Sequence, residues 1–399
     1  MTACLIMGGS TRAVKSGRFT YMDFGRGPGG QAGIPRLPPE HPVTTEVLGG
    51  TRDAAPGGRA LELFPPDLPE VRIGLSTWGD KAYRGTLYPA DARPAEFLAH
   101  YAHLFATVEL SATFYGMPDA ERFGLWRESV PEHFRFLPKV SQGITHRGAL
   151  ADAQQGLRAF LEQTAVLGER RGPVLLQMPP RFAPDAVARD RMAAALAVLR
   201  RQAAVELRHP AWFVDAVDRG QPGASGTEEV PAASGAPSAM APPAATILRE
   251  YGAALVVTDT VGARGVVHGI VTTPVLVLRF VAAGKPVVDR SRVDAWVDRI
   301  ADWLARGLRE VYIFVHLDDP PTAWSLARRF GDRLAAAGSG ARVYVPGDAP
   351  CGAGGGAGAD GDGSAGATGD GSARSGAKAA GEAAARARRR KDHGQLSLF

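Results

Sequence analysis

Eight short apolar runs in this chain each end in a polar or ionisable side chain, and those ends hold its chemistry. They offer Glu109, Lys139, Glu206 and Asp259 for catalysis, as proton donors and acceptors. They offer Trp78, Thr113, Tyr115, His146, Gln177, Arg208, His209, Arg279 and His316 to orient a substrate. An ionisable group at the end of a buried run is partly stripped of water and needs a partner or a ligand. Acids and bases that converge can satisfy one another, or move one another's pKa into the range for proton transfer. The opposite ends of the runs read as lacking such residues. Structural readings stand beside each role. Glu109 can hold Lys139 in an ion pair, and Glu206 and Arg208, two apart on one face, can belong to a buried network. His209 before Pro210 can shape a turn, and Trp78 and Tyr115 can pack as a lid or stack on a ring. His209, His316, Glu109, Glu206 and Asp259 are usable ligands for a divalent cation. No HxH or HExxH spacing supports one, so no metal is assigned, and the sequence requires no cofactor.

The elements that must position these groups are the runs themselves: Val71–Ser76, Thr107–Leu110, Phe134–Val140, Pro173–Met178, Ala204–Leu207, Ala254–Thr258, Val275–Phe280 and Val311–Val315. Nearly continuous apolarity over four to seven residues predicts parallel strands buried on both faces. Helical periodicity separates most of them, in Pro94–Phe105, Leu157–Leu167 and Arg292–Ala305, the last with Ser291 as N-cap and Gly307 past its end. Alternating strands and helices predict a single α/β domain, a (β/α)8 TIM-like barrel over residues 71–345 with disordered N- and C-terminal extensions. An open doubly wound sheet is the alternative. It fits less well, because Ser76-Thr77-Trp78-Gly79 follows the first strand where that fold carries a glycine-rich phosphate loop.

The 399 residues, 45% of them apolar, suffice for one barrel with extensions, and the 49 glycines and 30 prolines cluster outside it. Residues 1–70 read as disordered or as an over-extended start. Residues 216–245 read as a low-complexity insertion, and residues 346–394 as a disordered linker carrying a basic run at Arg386, Arg388, Arg389, Arg390 and Lys391. The net charge of +5 permits an acidic partner without demanding one. Cys4 and Cys351, the two cysteines, support neither a disulfide framework nor a metal cluster. With no signal peptide and no apolar stretch of spanning length, the expectation is a cytoplasmic protein without membrane contact.

The strings IGLSTW, VELSATFYGMP, FRFLPKVSQGITH, GPVLLQMPPRF, VELRHPAWF and VVTDT stand in the order typical of the YecE-like family, domain of unknown function 72, which the chain resembles from about Val71 to Leu334. VVHGIVTTPVLVLRF and VYIFVH look like one subgroup of it. The resemblance implies a TIM-like barrel and brings no defined activity or catalytic residues. The strand-end residues chosen above fall inside these motifs, apart from His316, which closes the subgroup string VYIFVH. The insertion after Val214 is the departure, and it leaves the rim of the mouth undefined.

The last residues, Gln395, Leu396, Ser397, Leu398 and Phe399, look like the peptide by which bacterial proteins bind the DNA polymerase sliding clamp. An extended peptide can seat Leu398 and Phe399 in an apolar groove while the Gln395 amide makes directed hydrogen bonds. A linker of about 50 residues would span roughly 40 Å, enough to let a tethered barrel reach nearby DNA. Three functions remain open: an enzyme acting on nucleic acid and recruited by this tail; a small-molecule isomerase, lyase or hydrolase acting on a sugar or sugar phosphate; and a non-catalytic module associated with the clamp.

Overall fold

The computed structural model describes residues 68–213, 243–262 and 266–349. The N-terminal segment 1–67, most of the 216–245 insertion and the tail 350–399, with Gln395, Leu396, Leu398 and Phe399, lie outside the described residues.

All eight apolar runs are strands: β1 Glu70–Leu75, β2 Thr107–Leu110, β3 Arg135–Pro138, β4 Val174–Gln177, β5 Ala203–Glu206, β6 Ala254–Thr260, β7 Val275–Val281 and β8 Glu310–His316. Every pairing among them is parallel, and nearly every strand residue is buried. A strand covered on both faces has no solvated side to supply polar alternation, which is why apolar runs marked them. A short ninth strand, β9 Arg342–Tyr344, pairs with the start of β1. Its three residues, Arg-Val-Tyr, are too few to show a pattern.

The hydrogen-bonded ladders form two pieces, one running β4-β5-β6-β7-β8-β1-β9 and one pairing β2 with β3. Backbone bonds join their edges: Ala106 N donates to Ile73 O (3.2 Å) between β1 and β2, and Val140 N to Leu175 O (3.0 Å) between β3 and β4. This is the order that a closed eight-stranded cylinder requires, and the mixed α/β fold with its parallel sheet is compatible with that barrel. At the β1/β2 seam the Tyr101 hydroxyl accepts from Leu75 N (2.7 Å) and donates to Thr107 O (2.9 Å). Gly74 lies so close to β2 that a Cβ there would fall 1.9 Å from Thr107 O.

The helices are α1 Phe97–Leu104, α2 Ala112–Tyr115, α3 Ala120–Glu128, α4 Ala153–Thr164, α5 Ala186–Leu199, α6 Pro243–Glu250, α7 Pro286–Ala305 and α8 Pro320–Ala336. Carboxylates cap several N-termini: Asp119 accepts from Arg122 N, Asp185 from Ala188 N and Asp319 from Thr322 N. Two details differ from the sequence reading. Helix α7 starts five residues before Ser291, because Pro286 at its first turn has no N–H to leave unpaired and Asp289 accepts from Ala283 N and Lys285 N just ahead of it. Between β6 and β7 the described residues form no α-helix, and Val266 belongs to a 3-10 turn. No helix among the described residues is long and apolar enough to cross a membrane.

The inner face of the strands is a small apolar layer of Leu137, Leu175, Ala204, Ala254, Val256, Val275, Val277, Tyr312 and Phe314. Larger clusters fill the space between strands and helices, with Trp296, Trp303 and Trp212 fully buried. The amino-terminal end of the strands corrects an expectation, since it too is charged. Arg72 pairs with Glu70 and donates from Nε to His133 O (2.9 Å), and Tyr312 donates to Glu310 Oε2 (2.6 Å). These groups sit inside β1 and β8, where apolar neighbours masked them in the sequence.

Candidate functional site

Side chains alternate across a strand, so the inner layer fixes which strand-end residues point inward. Two residues on from Leu137, Leu175, Ala204, Val256, Val277 and Phe314 stand Lys139, Gln177, Glu206, Thr258, Arg279 and His316. Glu109, in register with Leu137, completes the set. All seven are buried. The carboxy-terminal mouth is therefore a ring of polar side chains above an apolar floor.

Arg279 organises it. From β7 it reaches Glu109 on β2, with Nε to Oε1 at 2.6 Å and Nη2 to Oε2 at 3.2 Å, and Glu206 on β5, with Nη1 to Oε2 at 2.8 Å. Glu206 also accepts from Gln177 Nε2 (2.6 Å) and Arg208 Nε (2.7 Å), and Glu109 accepts from His316 Nε2 (3.1 Å). A carboxylate can only accept, so the last contact assigns the imidazole proton to Nε2.

The electrostatics follow from these contacts. Burial alone would push the Glu109 carboxyl up, but Arg279 and His316 hold it well below the usual carboxylate range. Burial acts likewise on Glu206, and Arg208, Arg279 and the Gln177 hydrogen bond bring it down to about 2. His316 is pushed down by burial against the pull of Glu109, and so stays neutral at pH 7. Both carboxylates are thus fixed as anions. A carboxylate held this low carries no proton to give and is a weak base, and its oxygens already accept several hydrogen bonds. Glu109 and Glu206, expected as proton donors and acceptors, are the carboxylates that hold Arg279, His316 and Arg208 in place.

Lys139 differs. Its Nζ makes no hydrogen bond or ion pair among the described residues and lies 4.1 Å from the centre of the Phe114 ring. The expected Glu109–Lys139 pair does not form, because Arg279 and His316 occupy that carboxylate. Burial, with Arg279 and Arg208 opposing the two carboxylates, lowers the Lys139 ammonium to about 7. The backbone around it is pinned: Lys139 N donates to Leu110 O (3.3 Å) and to Thr113 Oγ1 (3.1 Å), and the Thr113 proton faces the Leu110 and Lys139 carbonyls, each at 2.8 Å. Thr113 is therefore a positioning residue, its hydroxyl committed to backbone rather than to a substrate.

His146 sits half-buried in a π-helical turn, Gly143–Arg147, with its ring against the Phe114 edge (5.1 Å between centroids). Such turns are frequent at functional sites. Thr145 donates to Ser141 O (3.0 Å), so its hydroxyl accepts from His146 Nδ1 at 2.9 Å, which makes Nε2 the bare acceptor. Burial, and the neighbouring Lys139, Arg208 and Arg181 charges, push this histidine down to about 4. The next residues are strained: Ala149, Leu150 and Asp152 all adopt positive φ, between 46° and 63°.

Other expected residues are not brought together with this ring. Asp259 is on the outer face of β6, where its Oδ2 accepts from Trp296 Nε1 (2.8 Å) and its carboxylate pairs with Arg292 of α7 (3.0 Å). The inward neighbour is Thr258, which carries no charge to mark it in the sequence. His209 caps a short turn, with Nδ1 accepting from Ala211 N (3.2 Å). Trp78 packs edge-on to Trp126 (5.3 Å) and Phe136 (6.2 Å). Tyr115 is exposed and contacts Phe114 edge-on (5.1 Å). Two polar atoms of the ring, Gln177 Oε1 and Thr258 Oγ1, are buried with no partner among the described residues. No group of three or more His, Cys, Asp or Glu among those residues is arranged to hold a metal ion.

The family described as Protein of unknown function DUF72 matches residues 72–221 and 236–349, which include every member of the ring. The chain is 26% identical over 247 residues to UPF0759 protein YecE of Escherichia coli O157:H7, covering 59% of this chain and 85% of that protein. It is 33% identical over 118 residues to UPF0759 protein YunF of Bacillus subtilis (strain 168), covering 28% and 41% respectively. The crystal structure of a DUF72 family protein from Thermotoga maritima MSB8 superposes with a TM-score of 0.50 at 19% identity, covering 67% of this chain and 99% of that one. The family model covers more than half of the chain, and this protein belongs to the DUF72 family.

Proposed function

We propose that this protein is an enzyme acting at the carboxy-terminal mouth of its strands, with Lys139 exchanging protons with a small, oxygen-rich substrate such as a sugar or sugar phosphate. One observation carries the reading: a buried lysine amine, free of any carboxylate contact among the described residues and lowered to about 7, stands beside two carboxylates that are already saturated. A base is most useful when its pKa lies near the working pH. Isomerisation or elimination next to a carbonyl is the chemistry it suits, and the arginines are engaged in ordering the ring.

The test is proton exchange in deuterated water. The full chain is incubated with a panel of aldoses, ketoses and their phosphates, and loss of the C–H signal beside the carbonyl is followed by proton NMR. Exchange with at least one compound, abolished in Lys139→Met, is expected. Absence of exchange across the panel would remove the proposal.

A second reading rests on the tail. Gln395, Leu396, Leu398 and Phe399 support docking on the DNA polymerase sliding clamp, with the Arg386–Lys391 run near nucleic acid. Purified clamp should retain the full chain on a column and release a chain ending at Gly394; equal retention of both would dismiss it.

A further inference from the structure

The ring contains features that proton exchange alone does not use. Gln177 cannot turn its amide over, because Glu206 needs a donor and only Nε2 can supply one. Gln177 Oε1 is therefore held as a bare acceptor, in a side chain only 1% exposed, on the strand next to Lys139. The buried hydroxyl of Thr258, on the inner face of β6, is likewise unpartnered among the described residues. A buried polar group without a partner costs free energy, and a ligand that supplies one recovers it. An acceptor that can only accept calls for a hydroxyl on the ligand. The amine beside it rests on an aromatic face that tolerates a cation on nitrogen.

We infer that Lys139 Nζ is a nucleophile that forms a covalent iminium with the carbonyl carbon of a hydroxylated aldehyde or ketone, while Gln177 Oε1 and Thr258 Oγ1 receive its hydroxyl groups. This rests on the assignment of the mouth as an active site with a neutral Lys139. The nitrogen lone pair forms the C–N bond as the carbonyl π electrons move to oxygen. A proton passes from nitrogen to that oxygen, giving a carbinolamine. A second proton converts the hydroxyl to water, which leaves as the nitrogen lone pair forms the C=N bond. The sum is amine plus carbonyl plus one proton to iminium plus water, with no oxidant or reductant. The positive charge ends on nitrogen, over Phe114.

Reductive trapping tests this. The intact protein is treated at pH 7 with glycolaldehyde and cyanoborohydride, and each lysine is followed by peptide mass spectrometry. The exposed Lys81 and Lys285 serve as internal references. At pH 7 about half of an amine titrating near 7 is neutral, against roughly one part in 2,500 for an ordinary lysine. Modification of Lys139 should exceed that of the references by at least about 100-fold. Glycolaldehyde should also outpace acetaldehyde, which lacks the hydroxyl, and Thr258→Val should reduce that preference while the protein keeps its melting temperature. The labelling rate of Lys139 with fluorodinitrobenzene across pH separates the two levels of the proposal. A midpoint near 7 without trapping overturns the covalent step and leaves proton exchange standing. A midpoint near 10 overturns both.

Discussion

Arg279 and Glu109 face each other across the mouth through two parallel hydrogen bonds, although 170 positions separate them in the chain. The pair is buried, so its worth is asymmetric: forming it gains little over an apolar substitute, whereas removing one partner strands a charge. Glu109→Gln should therefore cost roughly 3–5 kcal/mol of unfolding free energy, read from urea denaturation. The double variant Glu109→Gln with Arg279→Met should recover part of that loss. Additive losses would show that the two residues are not coupled.

Acid should weaken the fold through the same ring. Glu109 and Glu206 have folded pKa values below those of the unfolded chain. Such groups add stability above the ordinary carboxylate pKa, and lose it as pH falls through the folded value. His146 and His316, also lowered, must protonate on unfolding and act in the same direction below about pH 6.5. The urea midpoint should fall steeply from about pH 5 toward pH 2. Glu206→Gln should start from a lower midpoint at pH 7 and show a shallower acid limb.

Lys139 also favours higher pH, but at neutral pH it is a cost to folding rather than a gain. Its folded pKa lies below the unfolded one, so at pH 7 the unfolded chain binds the extra proton and is favoured; the penalty fades as pH rises toward 10. Lys139→Met, of similar length, should raise stability at pH 7 by roughly 2–4 kcal/mol, with the gain vanishing near pH 10. Activity should be lost in the same variant. In the native protein the rate should climb as pH rises through about 7. Destabilisation of the variant at pH 7 would contradict the burial argument.

Asp259 should separate fold from chemistry. It fastens β6 to α7 through Arg292 and Trp296. Asp259→Asn should lower the melting temperature, at a cost of roughly 3 kcal/mol or more, because Arg292 is left short of countercharge. The near-neutral titration of Lys139, read by residue-resolved labelling, should not move. A shifted Lys139 midpoint would tie Asp259 to the mouth after all.

Gly74→Ala addresses the β1/β2 seam. The added methyl would meet the Thr107 carbonyl at 1.9 Å, a backbone atom that cannot step aside. The expected loss is at least about 3 kcal/mol, seen as a lowered thermal midpoint or insoluble protein. A variant as stable as the parent would mean that the seam is wider than described.

Much of this was legible in the residues, for identifiable reasons. Strands buried on both faces announce themselves as apolar runs, so β1 to β8 could be found and their polar ends named. Which of those ends point inward depends on a period of two. Counting from Val256 leads to Thr258, whereas reading for charge led to Asp259 and to the wrong side of β6. Partner choice was beyond the sequence. That Glu109 takes Arg279 and leaves Lys139 unpaired follows from the positions of strands far apart in the chain. Phe114, beneath the amine, looked like any other core aromatic.

The separate β2–β3 ladder has a further consequence. Glu109 and Lys139 ride on that ladder or at its end, whereas Arg279, Glu206, Gln177 and Thr258 ride on the larger one. The contacts of Glu109 with Arg279 and His316 are thus also rivets between two pieces of backbone joined by few main-chain bonds. Setting the electrostatics around Lys139 and holding the strands together are one task for the same side chains. A substrate that bridges Lys139 and Gln177 would act as an additional clamp on the wall itself.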